Sequence, residues 1–172
     1  MASLPQNKRS DSAIHIRQAG REDLDTLFAL DQACFRPGIA YSLAELRYFL
    51  FHVRSVSIVA EDSTGTLGFA IVQFGLAQGR SVGHIITIDV DPNLRRSGIG
   101  RVLMGSLLEL CRERQAALLR LEVAVDNEPA NAFYRQFGFR ETGRIPGFYM
   151  GRLDALTMER KLSVEDGVDG GI

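Results

Sequence analysis

The chain has 172 residues, 45% hydrophobic and 24% charged, and its 20 basic against 21 acidic side chains leave a formal net charge of -1. That balance excludes disorder as the dominant state and fits one domain, large enough to bury a core without metal or disulfide staples. A near-neutral charge argues against nucleic acid as the main partner. The absence of any apolar run near ~18 residues, with a polar start from Met1 to Asp11, argues against a membrane span or secretory leader and makes the cytoplasm the expected location.

Residues 1–12 and 163–172 are expected to be flexible tails around a single domain over 13–162. Ile14 to Arg17 alternates as a short strand, and Arg21 to Ala33 carries Leu24, Leu27, Phe28 and Leu30 at helical spacing. Pro37-Gly38 breaks the chain, and Ser42 caps a second helix from Leu43 to about Phe51. Val56 to Ala60 and Leu67 to Phe74 read as a hairpin around Ser63-Thr64-Gly65, Gly75 to Gly83 as a loop, and Ile85 to Val90 as a β-branched strand ended by Asp91-Pro92-Asn93. A helix over Gly100 to Arg114 and a strand over Leu118 to Val125 follow. Then comes a helix opened by Glu128-Pro129 and ended by Phe137-Gly138-Phe139, and finally strands near Arg140 to Gly143 and Ala155 to Lys161. Cys34 and Cys111, far apart and without clustered histidine, read as core thiols, so neither a metal site nor a redox pair is expected.

The segment Arg95-Arg96-Ser97-Gly98-Ile99-Gly100-Arg101 lies between a strand and an amphipathic helix. Amides in the first turn of a helix have no internal partner and carry about half a positive charge, so Gly98 and Gly100 can expose a cradle for phosphate. The dinucleotide fingerprint is excluded because Leu103 stands where its third glycine belongs, and the Gly-Lys-Ser/Thr of a P-loop is missing. All but two of the 20 basic residues are arginine, which suits planar phosphate contacts.

This spelling, R/Q-x-x-G-x-G/A, resembles the GNAT superfamily of acetyl-CoA-dependent N-acetyltransferases. A second match runs from Leu121-Glu122-Val123 through Asp126-Asn127 and Asn131-Ala132-Phe133-Tyr134 to Phe137-Gly138-Phe139. The resemblance implies a mixed α/β single domain. Its central sheet of six to seven mostly antiparallel strands would hold one splayed parallel pair, flanked by about four helices. It also implies acetyl-CoA as co-substrate and no metal. Arg95, Arg96, Ser97, Gly98, Ile99, Gly100 and Arg101 would hold the pyrophosphate. Ile88, Asp89 and Val90 would line the pantetheine arm, with the Val90 amide facing the thioester oxygen and Asn127 a further arm contact.

Within the family the chain resembles the bacterial ribosomal-protein alanine N-terminal acetyltransferases. That likeness puts a base on Glu122 and a thiol-protonating acid on Tyr134; Gly83-His84-Ile85 resembles the start of this strand in archaeal and eukaryotic N-terminal acetyltransferases and keeps His84 in reserve as the base. Phe35, Tyr41 and Tyr149 fall where such enzymes clamp the acceptor backbone, although Leu153 replaces a common acidic residue and one tyrosine stands for the usual pair. Because a thioester is already activated, an amine held beside it can attack directly in a ternary complex. The expected acceptor is the N-terminal α-amine of a protein or peptide, in a monomer or homodimer. A small amine or lysine acceptor, or a non-catalytic acyl-CoA sensor, is the alternative.

Overall fold

A computed structural model describes residues 13–162; the two expected tails lie outside the described residues. Strand β1 (His15–Gln18) leads through a 3-10 turn, Arg21–Asp23, into α1 (Leu24–Cys34). The Asp23 carboxylate fixes this corner by accepting from both terminal nitrogens of Arg17, at 2.7 and 2.8 Å, and from the Gly20 N–H at 2.7 Å. Helix α2 (Leu43–Phe51) opens on the expected cap: the Ser42 hydroxyl accepts the Glu45 N–H, and the Glu45 carboxylate accepts the Ser42 N–H at 2.8 Å. Strands β2 (Ser55–Asp62), β3 (Gly65–Ala77) and β4 (Arg80–Val90) then form a meander. Helix α3 (Ile99–Glu113), β5 (Leu118–Ala124), α4 (Glu128–Gln136), β6 (Arg140–Tyr149) and β7 (Leu153–Lys161) complete the chain.

The seven strands form one sheet in the order β1-β2-β3-β4-β5-β7-β6. Only β4 and β5 run parallel, and they pair only over Val82–His84 against Leu118–Arg120. Beyond that point β4 stays on β3 as far as Val90 and β5 stays on β7 as far as Ala124, so the two strands part into a wedge. This is the fold the resemblance implied.

Alternation along the strands divides the core into two layers. Ala60, Leu67, Ala70, Val72, Leu119, Leu121 and Met158 pack with Leu103, Met104 and Leu107 of α3, while Val59, Phe69 and Ile71 pack with Leu27 of α1 and Leu46 and Leu50 of α2. A bulge shifts the alternation of β4: Ile71 pairs with Thr87 but Val72 with Ile85, so Ile86 has no opposite number. Ile85 and Ile88 consequently both serve the α3 layer, whereas Ile86 packs on the α1–α2 layer.

The structure corrects several sequence expectations. The segment Gly75 to Gly83 is not a loop: β3 and β4 extend through it and turn at Gln78 and Gly79, both at positive φ, with Ala77 paired to Arg80. Only the Gln-Gly step has turn geometry, and the other glycines there sit inside strands. Strand β6 runs past the expected Gly143 as far as Tyr149, and β7 starts at Leu153 rather than Ala155, so Tyr149 lies on a strand end. Cys111 is a core thiol, but Cys34 is half-buried at the end of α1, where its Sγ donates to the Val90 carbonyl at 3.3 Å. Among the described residues, no helix is long and apolar enough to cross a membrane.

Candidate active site

The wedge is bordered by main-chain donors. The Asp91 N–H bonds the Leu67 carbonyl on β3 at 3.0 Å, and strand alternation therefore turns the Val90 N–H away from β3, into the wedge. After a 3-10 turn at Pro92–Leu94 the chain passes Arg96 at φ 64 and reaches Gly98, the N-cap of α3, at φ 88. The first bond of α3 runs from the Val102 N–H to the Gly98 carbonyl at 3.1 Å, so the amides of Ile99, Gly100 and Arg101 precede any intrahelical partner.

Apart from Gly98 and its chain neighbours, no atom of the described residues lies within 4 Å of where a Gly98 Cβ would sit, so the space there is open. The side chains around it differ in exposure. Arg95, Arg96, Ser97 and Arg101 are exposed, whereas Ile99 is anchored in the core and offers only its main chain. Arg95 donates to the Cys34 carbonyl at 3.3 Å, Ser97 donates to the Leu94 carbonyl, and Arg101 donates to the Gln136 side chain at 2.9 Å while lying over the Phe137 ring. Asp89 is 1% exposed, so the wedge receives the main chain at this position and not the carboxyl.

Glu122 alternates between buried Leu121 and Val123 on β5 and is directed to the α1–α2 side of the sheet. There its Oε2 lies 2.5 Å from His84 Nε2 on β4, with 22% of the glutamate and 28% of the histidine side chain exposed. Burial raises the Glu122 carboxyl, but the His84 hydrogen bond and charge, with Arg120, outweigh it and hold the group below its ordinary value. The carboxylate is thus ionised and accepts from His84 Nε2–H. Behind His84 a recess of about 300 Å³, lined in part by His52, Arg54, Gln73 and Arg120, connects the imidazole to solvent.

Two phenols accompany the pair. Burial, with the Glu122 charge, pushes Tyr149 up to about 12, and burial with the charges of Tyr149, Asp31, Asp89 and Glu122 pushes Tyr41 higher still. Tyr41 donates its hydroxyl to the Ile86 carbonyl at the bulge, at 3.2 Å, and sits edge-on to Phe49. Phe35 is half-buried at the C-cap of α1. The turn after Phe35 and the turn between β6 and β7 meet, because a side chain at Gly38, held at φ 87, would collide with the Met150 sulfur. Arg36 adds an ion pair to Asp126 at 2.6 Å.

Tyr134 projects from α4, edge-to-face with Phe133 and Phe139. Burial first, then the charges of Asp89 and Tyr149, push it well above an ordinary phenol, so its proton is retained across the neutral range. Asn127 is committed to structure through Oδ1, which accepts the Ala130 N–H at 3.3 Å as the N-cap of α4. Asn131, buried on the inner face of α4, donates to the Ala124 and Val125 carbonyls and ties α4 to the end of β5.

The structure therefore gathers Glu122, His84, Tyr41 and Tyr149 at one end of the wedge and the free amides at the other. Two contributions escaped sequence reasoning: Asn131, whose three-residue spacing from Tyr134 could have marked it, and Asp31, whose approach to Asp89 from α1 has no local signal.

The splayed parallel pair, with three unpartnered amides opening α3, is an architecture found among the acyl-CoA-dependent transferases, and comparisons with known proteins place the chain there. Residues 24–139 match the Acetyltransferase (GNAT) family, and the chain belongs to that family; it is an acetyl-CoA-dependent N-acetyltransferase. It is 31% identical over 116 residues to N-alpha-acetyltransferase 30 of Schizosaccharomyces pombe, covering 67% of this chain and 77% of the relative. A Bacillus subtilis protein assigned as a ribosomal protein bS18-alanine N-acetyltransferase is 39% identical over 139 residues, 78% of this chain and 85% of the other. The crystal structure of the Escherichia coli ribosomal-protein-S18-alanine N-acetyltransferase superposes with a TM-score of 0.77 at 25% identity, covering 92% of this chain and all of that one.

Proposed function

We propose that this enzyme acetylates the N-terminal α-amine of a protein or peptide by direct attack on acetyl-CoA in a ternary complex. The observation that carries the reading is the His84–Glu122 pair, 2.5 Å apart, with the Glu122 charge felt by both the Tyr41 and Tyr149 phenols. The chain's similarity to named N-terminal acetyltransferases supports the same acceptor.

A carboxylate held below its ordinary value is a poor lone acceptor for an ammonium proton. With the imidazole between carboxylate and amine, the proton reaches Nδ1, and the resulting cation faces the Glu122 charge. This arrangement suits an α-amine better than a lysine. With reference pKa values of about 7.7 to 8.0 against 10.4, the α-amine is neutral roughly 300-fold more often at neutral pH. The attacking nitrogen needs that neutral form.

The Val90 N–H is the donor to the carbonyl oxygen as the tetrahedral charge forms, and Tyr134 is the donor to the departing sulfur. The amides of Ile99, Gly100 and Arg101 hold the diphosphate, with Arg95, Arg96, Ser97 and Arg101 around them. Ile88, Val90 and the main chain of Asp89 line the arm, Asn127 meets it through the amide nitrogen its cap leaves over, and Phe35, Tyr41 and Tyr149 hold the acceptor backbone.

A panel of short peptides tests the acceptor. Thiol release from acetyl-CoA is expected with free N-termini and not with the same peptides blocked at the α-amine; equal turnover of blocked, lysine-bearing peptides overturns the assignment. The cradle has its own test. Gly98→Ala places a methyl group in the anion's space and forces an L residue into a left-handed conformation, at a cost of about 1–2 kcal/mol. Calorimetry is expected to show acetyl-CoA affinity falling tenfold or more in a folded protein, and unchanged affinity removes residues 98–101 from the site.

A further inference from the structure

Two carboxyl groups that the reaction above does not use face each other under the acceptor side of the site. Asp31 of α1 is fully buried and Asp89 of β4 is 1% exposed. Each has one oxygen satisfied. Asp31 Oδ2 accepts the Tyr41 N–H at 2.9 Å and the Gln32 side-chain amide at 3.2 Å, while Asp89 Oδ1 accepts the Thr87 hydroxyl at 2.5 Å. The remaining oxygens, Asp31 Oδ1 and Asp89 Oδ2, are buried and find no donor among the described residues. The two carboxyls are within hydrogen-bonding reach of one another.

Two ionised carboxylates cannot occupy that position. The groups facing them are the Cys34 thiol on α1, the Glu45 carboxylate on α2, the Tyr41 phenol on the intervening turn, the Tyr134 phenol on α4 and the Arg95 guanidinium after β4. Arg95 is the one cation among them, and it is exposed and bonded to the Cys34 carbonyl. An unscreened pair of like charges out of water is far costlier than one proton held between them.

We propose that Asp31 and Asp89 share a single proton and act as a positioning pair that latches the 35–42 turn, which carries Phe35 and Tyr41, onto β4 beside Val90. The pair links the two halves of the reaction. Asp31 grips the acceptor turn through the Tyr41 N–H, and Asp89 immediately precedes the residue whose amide faces the thioester oxygen. Burial, the largest influence on both carboxyls, favours the protonated form. The sign follows: the latch is closed while the pair keeps its proton and loosens as rising pH removes it. Acceptor binding is then lost on the alkaline side, while the diphosphate contacts proposed at residues 98–101 lie outside the latch and are kept. The effect on acceptor binding rests on the reading of 35–42 as the acceptor clamp; the shared proton does not.

The full chain labelled with ¹³C at aspartate carboxyls separates the two. One carboxyl is expected to titrate well above the ~3.9 of an ordinary aspartate, and that signal is expected to vanish in Asp31→Asn, whose amide donates to Asp89 without a proton. In steady-state assays with an N-terminal peptide, the KM of the parent protein is expected to rise on the alkaline side, and Asp31→Asn to abolish that rise. Asp31→Ala is expected to raise peptide KM roughly tenfold at neutral pH, with the acetyl-CoA dissociation constant within about twofold of the parent. Aspartates that all titrate in the ordinary range, with no difference in Asp31→Asn, overturn the pair. An elevated carboxyl titration in a protein that turns over no N-terminal peptide leaves the pair standing and overturns the acceptor assignment instead.

Discussion

Tyr134→Phe lowers kcat about a hundredfold and leaves the dissociation constant for acetyl-CoA within about twofold of the parent value, as read by rapid-quench turnover and calorimetry. The Tyr134 ring packs edge-to-face on Phe133 and Phe139, contacts that phenylalanine keeps, so the substitution removes an O–H and little else. Burial makes this phenol hold its proton tightly. It therefore acts on the departing sulfur first as a hydrogen-bond donor while charge develops, rather than as a strong acid. That places the effect at the lower end of the range for general acids and confines it to the chemical step. A kcat unchanged in Tyr134→Phe removes the tyrosine from the reaction.

The elements that were legible in the sequence are those whose pattern is local. Leu103, Leu107 and Cys111 repeat at helical spacing because α3 buries one face on the sheet, and the Ser42–Glu45 box announces α2 before any tertiary contact is known. The β3–β4 hairpin was harder to read. Gly75, Gly79 and Gly83 look like equivalent punctuation, yet only Gly79 turns the chain, while Gly83 is buried against the Leu119 side chain of the neighbouring strand. Cross-strand packing decides between those fates, and it is absent from a window of ten residues.

The site divides in the same way. The loop that opens α3 is contiguous in sequence, so it could be singled out without the fold, and Glu122 and Tyr134 lie within one strand–helix unit. His84 and Glu122 are brought together by the three-residue parallel pairing of β4 and β5, a contact that resemblance could hint at but spacing could not supply. The one legible sign of the buried acids was a carboxylate on an apolar stripe: Asp31 lies four residues after Leu27, on the same face of α1. What that carboxylate meets is fixed by the bulge at Ile86, which shifts the alternation of β4 before Asp89 and has no marker in a run of β-branched residues.

The second large effect belongs to the pair itself. Glu122→Gln and His84→Ala are each expected to lower kcat/KM for an N-terminal peptide about a hundredfold, and the double variant to fall little further. Non-additivity is expected because the carboxylate acts through the imidazole: once either is gone, the other has no proton to balance. The pH dependence gives an independent reading. Glu122, held below its ordinary value, keeps its charge as pH falls until the medium passes below the usual carboxylate range, so it does not titrate where the amine does. Any rise of kcat/KM between about pH 6 and 8 therefore does not come from Glu122, and the part of it that belongs to the acceptor's α-amine is expected to move when the peptide's amine pKa is changed by a fluorinated first residue. Losses that multiply to about ten-thousandfold in the double variant dissolve the pair into two independent groups and return the proton to a water molecule held elsewhere in the wedge.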